Sequence, residues 1–547
     1  MFLEAIFSRR AAAVALFICC HVEAREPVAA KSFMVSAAHP VAVEAGYEIL
    51  KRGGSALDAA IAVQMALGLA EPQASGIGGG AFVLYWDEKA RALHSYDGRE
   101  SAPAAARPNR FLKPDGAPMA LRDAIPGGRS VGAPGALRVL ELAHRKHGRL
   151  PWRSLFEPAI AAAEGGFAVS PRLFGWLERV QDFSADPAAR ALFYDADGRP
   201  KPAGSVVVNA EYAATLRAIA KGGADAFYRG PIAADIVRAV RAHPTAGDLS
   251  EEDLAAYQAF QRDPVCGPYR RLRVCSMGPP SSGGVALLQI LGLLERTGFD
   301  EAPPQSDLAV HLFTEARRLA FADRAKYLGD PDFVAVPVSA LLKKSYLDRR
   351  AALIGEKAMP LPAAGDTEAA GTSHVSIVDA EGNAVSMTTT IEAPFGSRIM
   401  VRGFVLNNEL TDFDFAPGSA NEVGPRKRPR SSMAPALVFE PGGALRLVIG
   451  SAGGAYIIGD VAKALVGVID WKLDVQAAIE IPNFGGRGDA VEIEPGAAYE
   501  RMAAGQRARG HEVRAREFPS GLHGIERYDG GWRGGADPRR DGVAKGD

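Results

Sequence analysis

The stretch from Gly371 to Ile391, GTSHVSIVDAEGNAVSMTTTI, constrains the fold more than any other part of the chain. Apolar and polar residues alternate on both sides of segment 379–383, which has turn composition. This pattern predicts two antiparallel strands joined by a short turn. With the turn centred on Glu381, Thr372 faces Thr390 at a strand-pair distance of about 5 Å. The hairpin therefore predicts two hydroxyl groups in contact at its open end. Ordinary cross-strand packing of two threonines is the alternative.

The segment that leads into this hairpin has a different character. Residues 359–371, MPLPAAGDTEAAG, lack apolar periodicity and contain residues typical of exposed loops. If the peptide bond between Gly371 and Thr372 is cleaved, Thr372 becomes a chain terminus whose hydroxyl lies beside its own amine. A free α-amine has a pKa of about 7.7–8, so part of it is an unprotonated base near neutral pH. The junction therefore predicts an activated hydroxyl nucleophile, and an ordinary linker is the alternative.

Short motifs follow one another in a fixed order along most of the 547 residues. They are DGRE at 97–100, His311, EA at 315–316, ADR at 322–324, YLGDP at 327–331, TSH at 372–374, FGS at 395–397, NNELTDF at 407–413, RPRSSM at 428–433 and GSAGG at 450–454. Together they resemble the gamma-glutamyltransferase family, whose members are threonine N-terminal nucleophile hydrolases. The resemblance implies a glutathione hydrolase-like enzyme that is synthesised as a self-cleaving precursor.

The resemblance also implies the architecture. It predicts an α+β fold of the N-terminal nucleophile hydrolase type, a four-layer αββα sandwich in which two stacked sheets lie between outer helices. Apolar spacing agrees with strands at 81–86 and 445–450 and with helices at 309–328 and 457–469. One compact body is expected, divided by cleavage into a large chain and a small chain. The boundaries implied are 25–371 for the large chain and 372–547 for the small chain.

Residues 1–24 have the pattern of a signal peptide. A Ser-Arg-Arg string precedes the apolar run AAAVALFICC, which is too short to span a bilayer, and small residues allow cleavage after Ala24. We therefore expect a periplasmic or secreted protein, and an N-terminal membrane anchor that stays attached is the alternative. After cleavage Cys266 and Cys275 remain, either as a local disulfide in an oxidising compartment or as two free thiols.

Carried over motif by motif, the resemblance implies a catalytic group. Thr372 is matched to the nucleophile for both cleavage and turnover, and Thr390 to the threonine that holds its hydroxyl. Gly453 and Gly454 are matched to the backbone donors of the oxyanion hole, and they stand between an apolar strand and a helical pattern. A tight strand-to-helix turn is the alternative for them. His374 lies further along the strand, so we expect the terminal amine to act as the base, with His374 as the alternative.

The resemblance further implies how a gamma-glutamyl donor is bound. Such a donor presents an α-carboxylate and an α-ammonium on one carbon atom. Arg99, Ser431 and Ser432 are matched to the carboxylate, because a guanidinium fork and two hydroxyl groups suit two oxygens. Asp412 and Glu409 are matched to the ammonium group. These five residues are the predicted substrate-binding side chains, together with residue 392.

Position 392 is a departure from the family pattern. Glu392 stands where well-characterised members have asparagine, so three carboxylates are expected around one ammonium group. Like-charge repulsion in such a cluster raises a carboxyl pKa.

A second departure is the short stretch 414–428, which leaves little room for the lid loop that some members carry. An open pocket is therefore expected.

Composition excludes several other functions. The chain has 63 basic and 64 acidic side chains, and no long basic run that would neutralise nucleic-acid phosphates. It has no HExxH motif and no paired His/Cys cluster. We therefore predict no metal, no cofactor and no nucleic-acid partner. The expected partners are a small-molecule donor such as glutathione, amino acid or peptide acceptors, and the second chain of the same precursor in a heterodimer.

The sequence thus predicts an exported enzyme that transfers a gamma-glutamyl group through a Thr372 ester to water, amino acids or peptides. Two alternatives remain open at this point. One is an acylase on the same scaffold that acts on glutaryl or β-lactam (cephalosporin-type) side chains. The other is an uncleaved envelope protein that binds gamma-glutamyl compounds without reacting with them.

Overall fold

The computed structural model describes residues 25–360, 371–486, 488 and 490–547. The predicted signal peptide and most of the segment before Gly371 lie outside the described residues. Within the described ranges, no helix has the length and hydropathy that crossing a bilayer requires.

The predicted hairpin, Gly371–Val378 and Ala384–Glu392, lies at the centre of a seven-stranded sheet, which we call the hairpin sheet. A second seven-stranded sheet stacks against it, and neighbouring strands are antiparallel in both. In spatial order the hairpin sheet contains Val543–Gly546, Met34–Ala37, Gly371–Val378, Ala384–Glu392, Gly80–Asp87, Ala92–Gly98 and Phe260–Arg262. In the same order the second sheet contains Val28–Ala30, Gly531–Ala536, His523–Tyr528, Leu445–Gly450, Ala436–Phe439, Leu272–Ser276 and Val265–Tyr269.

The register of the hairpin is the one that the sequence predicts. Thr372 pairs with Thr390, and the turn lies between the strand ends Val378 and Ala384. The pairing is irregular at the open end, where Gly371 is opposite Glu392. This one-residue shift places the junction peptide beside the Thr390 side chain.

Polar residues of the hairpin face the second sheet and are fully buried. The Ser376 hydroxyl donates to the His523 carbonyl at 3.1 Å, and the Ser386 hydroxyl donates to the Ile449 carbonyl at 3.0 Å. The alternating polar positions are therefore an inter-sheet surface satisfied by hydrogen bonds, because a buried hydroxyl without a partner would be costly. Apolar side chains fill the rest of this interface, among them Leu84, Trp86, Val378, Val448 and Ile525.

Helices cover the outer face of each sheet. Ala56–Ala70 is buried along its whole length beneath the hairpin sheet, and its first turn is closed by a capping box between Ser55 and Asp58. With it on this side lie Pro40–Lys51, Ala136–His147 and Glu157–Gly165. On the second sheet lie Gly283–Leu294, Asp307–Tyr327, Ile457–Ile469 and Val475–Glu480. The predicted four-layer αββα sandwich is confirmed.

A disulfide lies at one edge of the second sheet. The Cys266–Cys275 disulfide links the last two strands of the second sheet, with a Cα–Cα distance of 4.1 Å. Of the two alternatives for these thiols, the structure contains the disulfide. The other helices are Leu121–Ala124, Pro171–Arg179, Pro187–Phe193, Ala210–Gly222, Asp225–Tyr228, Pro231–Ala242, Glu251–Ala256, Val338–Leu341, Lys344–Ala351 and Ala497–Ala508. The other strands are Phe167–Ala168, Val206–Val207, Met400–Val401, Phe404–Val405, Phe484–Gly485, Ala490–Ile493 and Glu512–Ala515.

Candidate active site

The two threonines at the open end of the hairpin are in hydrogen-bond contact. Thr372 Oγ1 lies 3.3 Å from Thr390 Oγ1, and both residues are almost fully buried. Thr390 Oγ1 donates to the Gly371 carbonyl at 2.7 Å and accepts from the Glu392 amide at 2.8 Å. Because the single Thr390 proton is committed to the carbonyl, Thr372 must be the donor in the contact between the two hydroxyls. The proton of Thr372 thus points at an oxygen that is already bonded to the junction carbonyl.

Arg540 holds the backbone of Thr372 from the other side. Its Nη1 donates to the Thr372 carbonyl at 2.6 Å, while Nε and Nη2 donate to the carbonyls of Ser520 and Pro519. Burial, with the added repulsion of Arg172, lowers the pKa of Arg540 to about 9. Three carbonyls therefore fix this guanidinium in place, and Thr372 is restrained by its backbone as well as by its hydroxyl.

Gly453 and Gly454 form the turn between the strand Leu445–Gly450 and the helix Ile457–Ile469. Their φ angles are 132° and 56°, in the left-handed region that glycine adopts without a steric penalty. Gly454 lines the same pocket as the two threonines. The turn thus brings backbone amides of a helix N-terminus close to the threonine pair.

A narrow pocket opens at the threonine pair. It gathers the predicted site residues, except Gly371 and Gly453, from five separate parts of the chain. The lining residues are Arg99, Thr372, Thr390, Glu392, Glu409, Asp412, Ser431, Ser432, Met433, Gly454 and Ile457.

Arg99 is fully buried in this pocket and is already paired. Its two Nη atoms form ion pairs with Glu409 and Asp412, and Nε donates to the Pro429 carbonyl at 3.1 Å. Nη2 also donates to the Arg430 carbonyl at 3.3 Å. Burial opposes the charge, but Glu409 and Asp412 outweigh it and raise the pKa of Arg99. The resemblance implied separate partners for the guanidinium and the two acids, whereas the structure pairs them with one another.

A fourth acid, Glu100, lies behind this group. Its carboxylate is 3.8 Å from Arg99 Nη1 and is completely buried. Burial raises the pKa of Glu100 to about 7, and burial also raises the pKa of Glu409 well above its ordinary value. The two carboxyl groups interact directly, so a proton shared between them relieves their repulsion. The pocket therefore contains more acid than the single guanidinium of Arg99 can neutralise.

Glu392 has an unusual backbone conformation, and neutral side chains donate to its carboxylate. Its φ angle is 76°, which strains a residue with a Cβ atom by about 1–2 kcal/mol. Its carboxylate accepts from the Asn408 side-chain amide and lies 3.4 Å from the Thr411 hydroxyl. The acid that replaces asparagine is thus held by the NNELTDF motif, on the wall of the pocket.

Ser431 and Ser432 are anchored from behind by three other residues. The Ser282 amide and hydroxyl donate to the Ser431 carbonyl at 2.8 and 2.6 Å. Arg324 Nη2 donates to the Ser432 hydroxyl oxygen at 2.7 Å, and its Nε donates to Ser282 Oγ at 2.8 Å. The Met433 amide donates to Ser431 Oγ at 3.1 Å. Both serines are therefore fixed before any ligand arrives.

A scan against protein families matches residues 42–547 to gamma-glutamyltranspeptidase. The chain belongs to the gamma-glutamyltranspeptidase family.

Individual members of the family are similar over most of their length. The glutathione hydrolase proenzyme of Bacillus subtilis (strain 168) is 38% identical over 494 residues, 84% of each chain. The acylase ACY 1 proenzyme of Pseudomonas sp. (strain SE83) is 36% identical over 532 residues, 95% of this chain and 94% of that one. A solved cephalosporin acylase from Bacillus halodurans superposes with a TM-score of 0.84 and 28% identity, covering 99% of both chains. Membership therefore makes the chain an enzyme of transferase and hydrolase type.

His374 is sealed between the sheets of this gamma-glutamyltranspeptidase-family fold. Its ring nitrogens bond to the hydroxyls of Thr388 and Ser376, at 2.9 and 3.2 Å. Burial, together with His523, lowers the pKa of His374 well below its ordinary value. The imidazole is thus engaged along the strand, and Thr372 Oγ1 contacts Thr390 instead.

The described residues contain one grouping with the composition of a metal site, His311, Glu315 and His511. The two imidazoles bond to each other at 2.8 Å, and His311 also bonds to the Gly355 carbonyl at 2.8 Å. Arg318 donates to Glu315 at 2.6 Å. A cation would have to displace this guanidinium, so the grouping fits a metal ion poorly.

Sequence reasoning missed three residues in the gamma-glutamyltranspeptidase-family site: Glu100, Arg324 and Arg540. The first two lie inside the matched DGRE and ADR motifs, and this motif position was the signal that could have identified them. Arg540 is in no motif. It lies 168 residues after Thr372, so only the folded structure shows that it contacts the Thr372 carbonyl.

Proposed function

We propose that the chain is a precursor that cleaves its own Gly371–Thr372 peptide bond and then transfers gamma-glutamyl groups from a Thr372 ester. The acceptors are water, giving hydrolysis, or the amine of an amino acid or peptide. The observation that carries this proposal is the hydrogen-bond chain from Thr372 Oγ1 through Thr390 Oγ1 to the Gly371 carbonyl. This chain joins a hydroxyl nucleophile to the carbonyl of the bond that it would attack. Both threonines line a pocket whose charged side chains suit the carboxylate and ammonium groups of an amino acid.

Cleavage would begin when Thr372 Oγ1 attacks the Gly371 carbonyl carbon. As the Thr372 proton passes to Thr390 Oγ1, Thr390 passes its own proton along its hydrogen bond to the Gly371 oxygen, which neutralises the charge that develops there. When the C–N bond breaks, the Thr372 nitrogen takes up the proton and an ester links Gly371 to the threonine oxygen. Water then hydrolyses the ester, leaving a carboxylate on Gly371 and a free amine on Thr372.

Turnover would use the same hydroxyl with a new base. The freed α-amine of Thr372 removes the hydroxyl proton as Oγ1 attacks the γ-carbonyl carbon of the donor. We assign the backbone amides of Gly453 and Gly454 to the oxyanion that forms. The leaving amine departs with the proton, and water or an acceptor amine then attacks the gamma-glutamyl ester and regenerates Thr372.

The charges in the pocket favour a donor that carries an ammonium group. Glu392, Glu409 and Asp412 line the pocket and Glu100 lies 3.8 Å from Arg99, the single guanidinium among the lining residues. A gamma-glutamyl group brings one carboxylate and one ammonium, so it adds no net charge. A glutaryl group brings the carboxylate alone, and one uncompensated like charge at about 4 Å costs about 4 kcal/mol near a protein surface. Glutathione, the substrate in the name of the Bacillus subtilis relative, is the first donor to test.

The cleavage proposal is tested with Thr372→Ala. Wild type should give two fragments on a denaturing gel, and N-terminal sequencing of the smaller one should start at Thr372. The variant should remain one uncut chain without turnover. Ser373→Ala is the matched control, because it removes a neighbouring buried hydroxyl that bonds to Glu71, and it should still cleave. Wild-type protein that stays intact by mass spectrometry would support the uncleaved binding protein instead.

The donor proposal is tested by comparing a gamma-glutamyl anilide with a glutaryl anilide. We expect the first to have the higher kcat/KM, by roughly thirtyfold if half of the charge penalty is screened. A clear preference for the glutaryl compound would identify an acylase, as the ACY 1 and cephalosporin acylase names suggest for those proteins.

Export is part of the same proposal. Residues 1–24 would direct the precursor to the periplasm or out of the cell, where the Cys266–Cys275 disulfide is stable. Fractionation of cells expressing the full chain, with a form lacking residues 2–24 as the control, checks this. Recovery of full-length precursor in the membrane fraction would support the retained anchor.

A further inference from the structure

The hydrogen bonds of Arg99 leave it little capacity for a ligand. A guanidinium has five N–H groups. Four of them are used on Pro429, Glu409, Asp412 and Arg430, which leaves one on Nη1. A bidentate fork to the α-carboxylate of a donor therefore requires Glu409 or Asp412 to release its ion pair. Other groups in the pocket must contribute to carboxylate recognition.

The hydroxyls of Ser431 and Ser432 are polarised for this task. Each lies on the pocket wall, and each oxygen accepts a hydrogen bond from an obligate donor: the Met433 amide for Ser431, and Arg324 Nη2 for Ser432. A hydroxyl that accepts in this way has its single proton left to donate. Over the residues that the structure describes, no protein acceptor bonds either proton. Both hydroxyls are thus prepared to donate to an anion.

One guanidinium organises both serines. Arg324 is on the helix Asp307–Tyr327 and is partly buried. Its Nη2 contacts Ser432 directly, and its Nε donates to Ser282 Oγ, which in turn donates to the Ser431 carbonyl. Two nitrogens of one planar guanidinium therefore hold both serines in place, one directly and one through Ser282.

We propose that Arg324 is a positioning residue for donor recognition, which rests on the function proposed above. It orients the Ser432 hydroxyl so that its proton points to the α-carboxylate of the gamma-glutamyl donor. Its positive charge, one hydroxyl away from that carboxylate, also offsets the excess of acid in the pocket. Arg324 does this without touching the substrate.

The first test is the kinetics of Arg324→Met with a gamma-glutamyl anilide. KM should rise about ten- to hundredfold, the effect of one hydrogen bond to a charged group, while kcat changes by less than about threefold. Arg324→Lys keeps the charge but loses the fork, so its KM should rise less. Lys326→Met is the matched control, because it removes an exposed cation from the same helix and should leave both constants unchanged. Each variant is used only as mature two-chain enzyme with a melting temperature near that of wild type.

Two further measurements separate positioning from a general structural role. For a 4-aminobutyryl anilide, which lacks the α-carboxylate, Arg324→Met should have the wild-type kcat/KM. Adding Arg324→Met to Ser432→Ala should lower kcat/KM for the gamma-glutamyl anilide by a smaller factor than adding it to wild type, because one of the hydroxyls that Arg324 orients is already gone. Equal losses on both anilides, or additive losses in the double variant, would overturn the proposal. Wild-type enzyme that fails to hydrolyse the gamma-glutamyl anilide would instead refute the proposed function.

Discussion

Replacing Thr390 by valine tests the proposed cleavage mechanism most directly. Valine keeps the shape and β-branching of threonine, so strand pairing in the hairpin sheet should survive. The hydroxyl, however, makes three contacts, at 2.7 Å to the Gly371 carbonyl, 2.8 Å to the Glu392 amide and 3.3 Å to Thr372 Oγ1. Loss of one donor to a developing oxyanion raises the barrier by about 3–4 kcal/mol, so cleavage should slow by about 10²–10³-fold.

The assay is a time course of fragment formation on denaturing gels, starting from precursor purified at low temperature. Thr390→Ser keeps the hydroxyl and should cleave within about tenfold of wild type. Thr389→Val is the matched control, because this neighbouring buried hydroxyl donates to the Gly80 carbonyl, at 3.1 Å, and not to the junction. It should lose about 1 kcal/mol of stability and cleave normally. Cleavage of Thr390→Val at the wild-type rate, with an intact fold, would refute the proposed role of the hydroxyl.

Three other predictions concern charge and covalent structure. Because burial raises the pKa of Glu100 from 4.5 to about 7, the folded state holds a proton that the unfolded state loses, so stability should fall as pH rises from about 4.5 to about 7. The free energy of unfolding is measured in urea at pH 5 and pH 8, in the uncut Thr372→Ala variant. Adding Glu100→Gln should reduce its fall between these pH values by up to about 3 kcal/mol. The same fall with and without Glu100→Gln would contradict the prediction. Glu392→Asn removes one carboxylate from the pocket, so the ratio of kcat/KM for gamma-glutamyl over glutaryl anilide should drop several-fold; an unchanged ratio would show that Glu392 does not act on the donor. Replacing Cys266 and Cys275 by serine should lower the free energy of unfolding by about 2–3 kcal/mol and leave kcat/KM unchanged, whereas free thiols in the oxidised, denatured protein would contradict the disulfide.

The layout of the site follows from the sequence to a large extent. The contact between Thr372 and Thr390 was expected from alternation and turn composition within some twenty residues, and the structure has that register. Such a prediction succeeds because a hairpin is specified by local residues, whose side chains alternate with a period of two. The motif matches then assigned eight further positions to one site, of which Gly454 and the substrate-binding residues line the pocket.

Partner choice in the site could not be predicted in the same way. The resemblance implied that Arg99 would meet a ligand carboxylate, but in the folded chain it is paired with Glu409 and Asp412, more than 300 residues away. A buried charge takes the best partner that packing brings within reach, because leaving it unpaired is costly. That partner depends on the whole arrangement of neighbours and not on a motif.

The sequence by itself determined the hairpin, its register, the main helices and the identity of the side chains available for chemistry. The packing of the sheets and helices decided the rest. It buries the polar face of the hairpin, and it forms the hydrogen bonds from Arg540 to the Thr372 carbonyl and from Arg324 to the Ser432 hydroxyl. Local patterns encode local geometry, whereas contacts between distant segments form only when layers pack and water is excluded from between them.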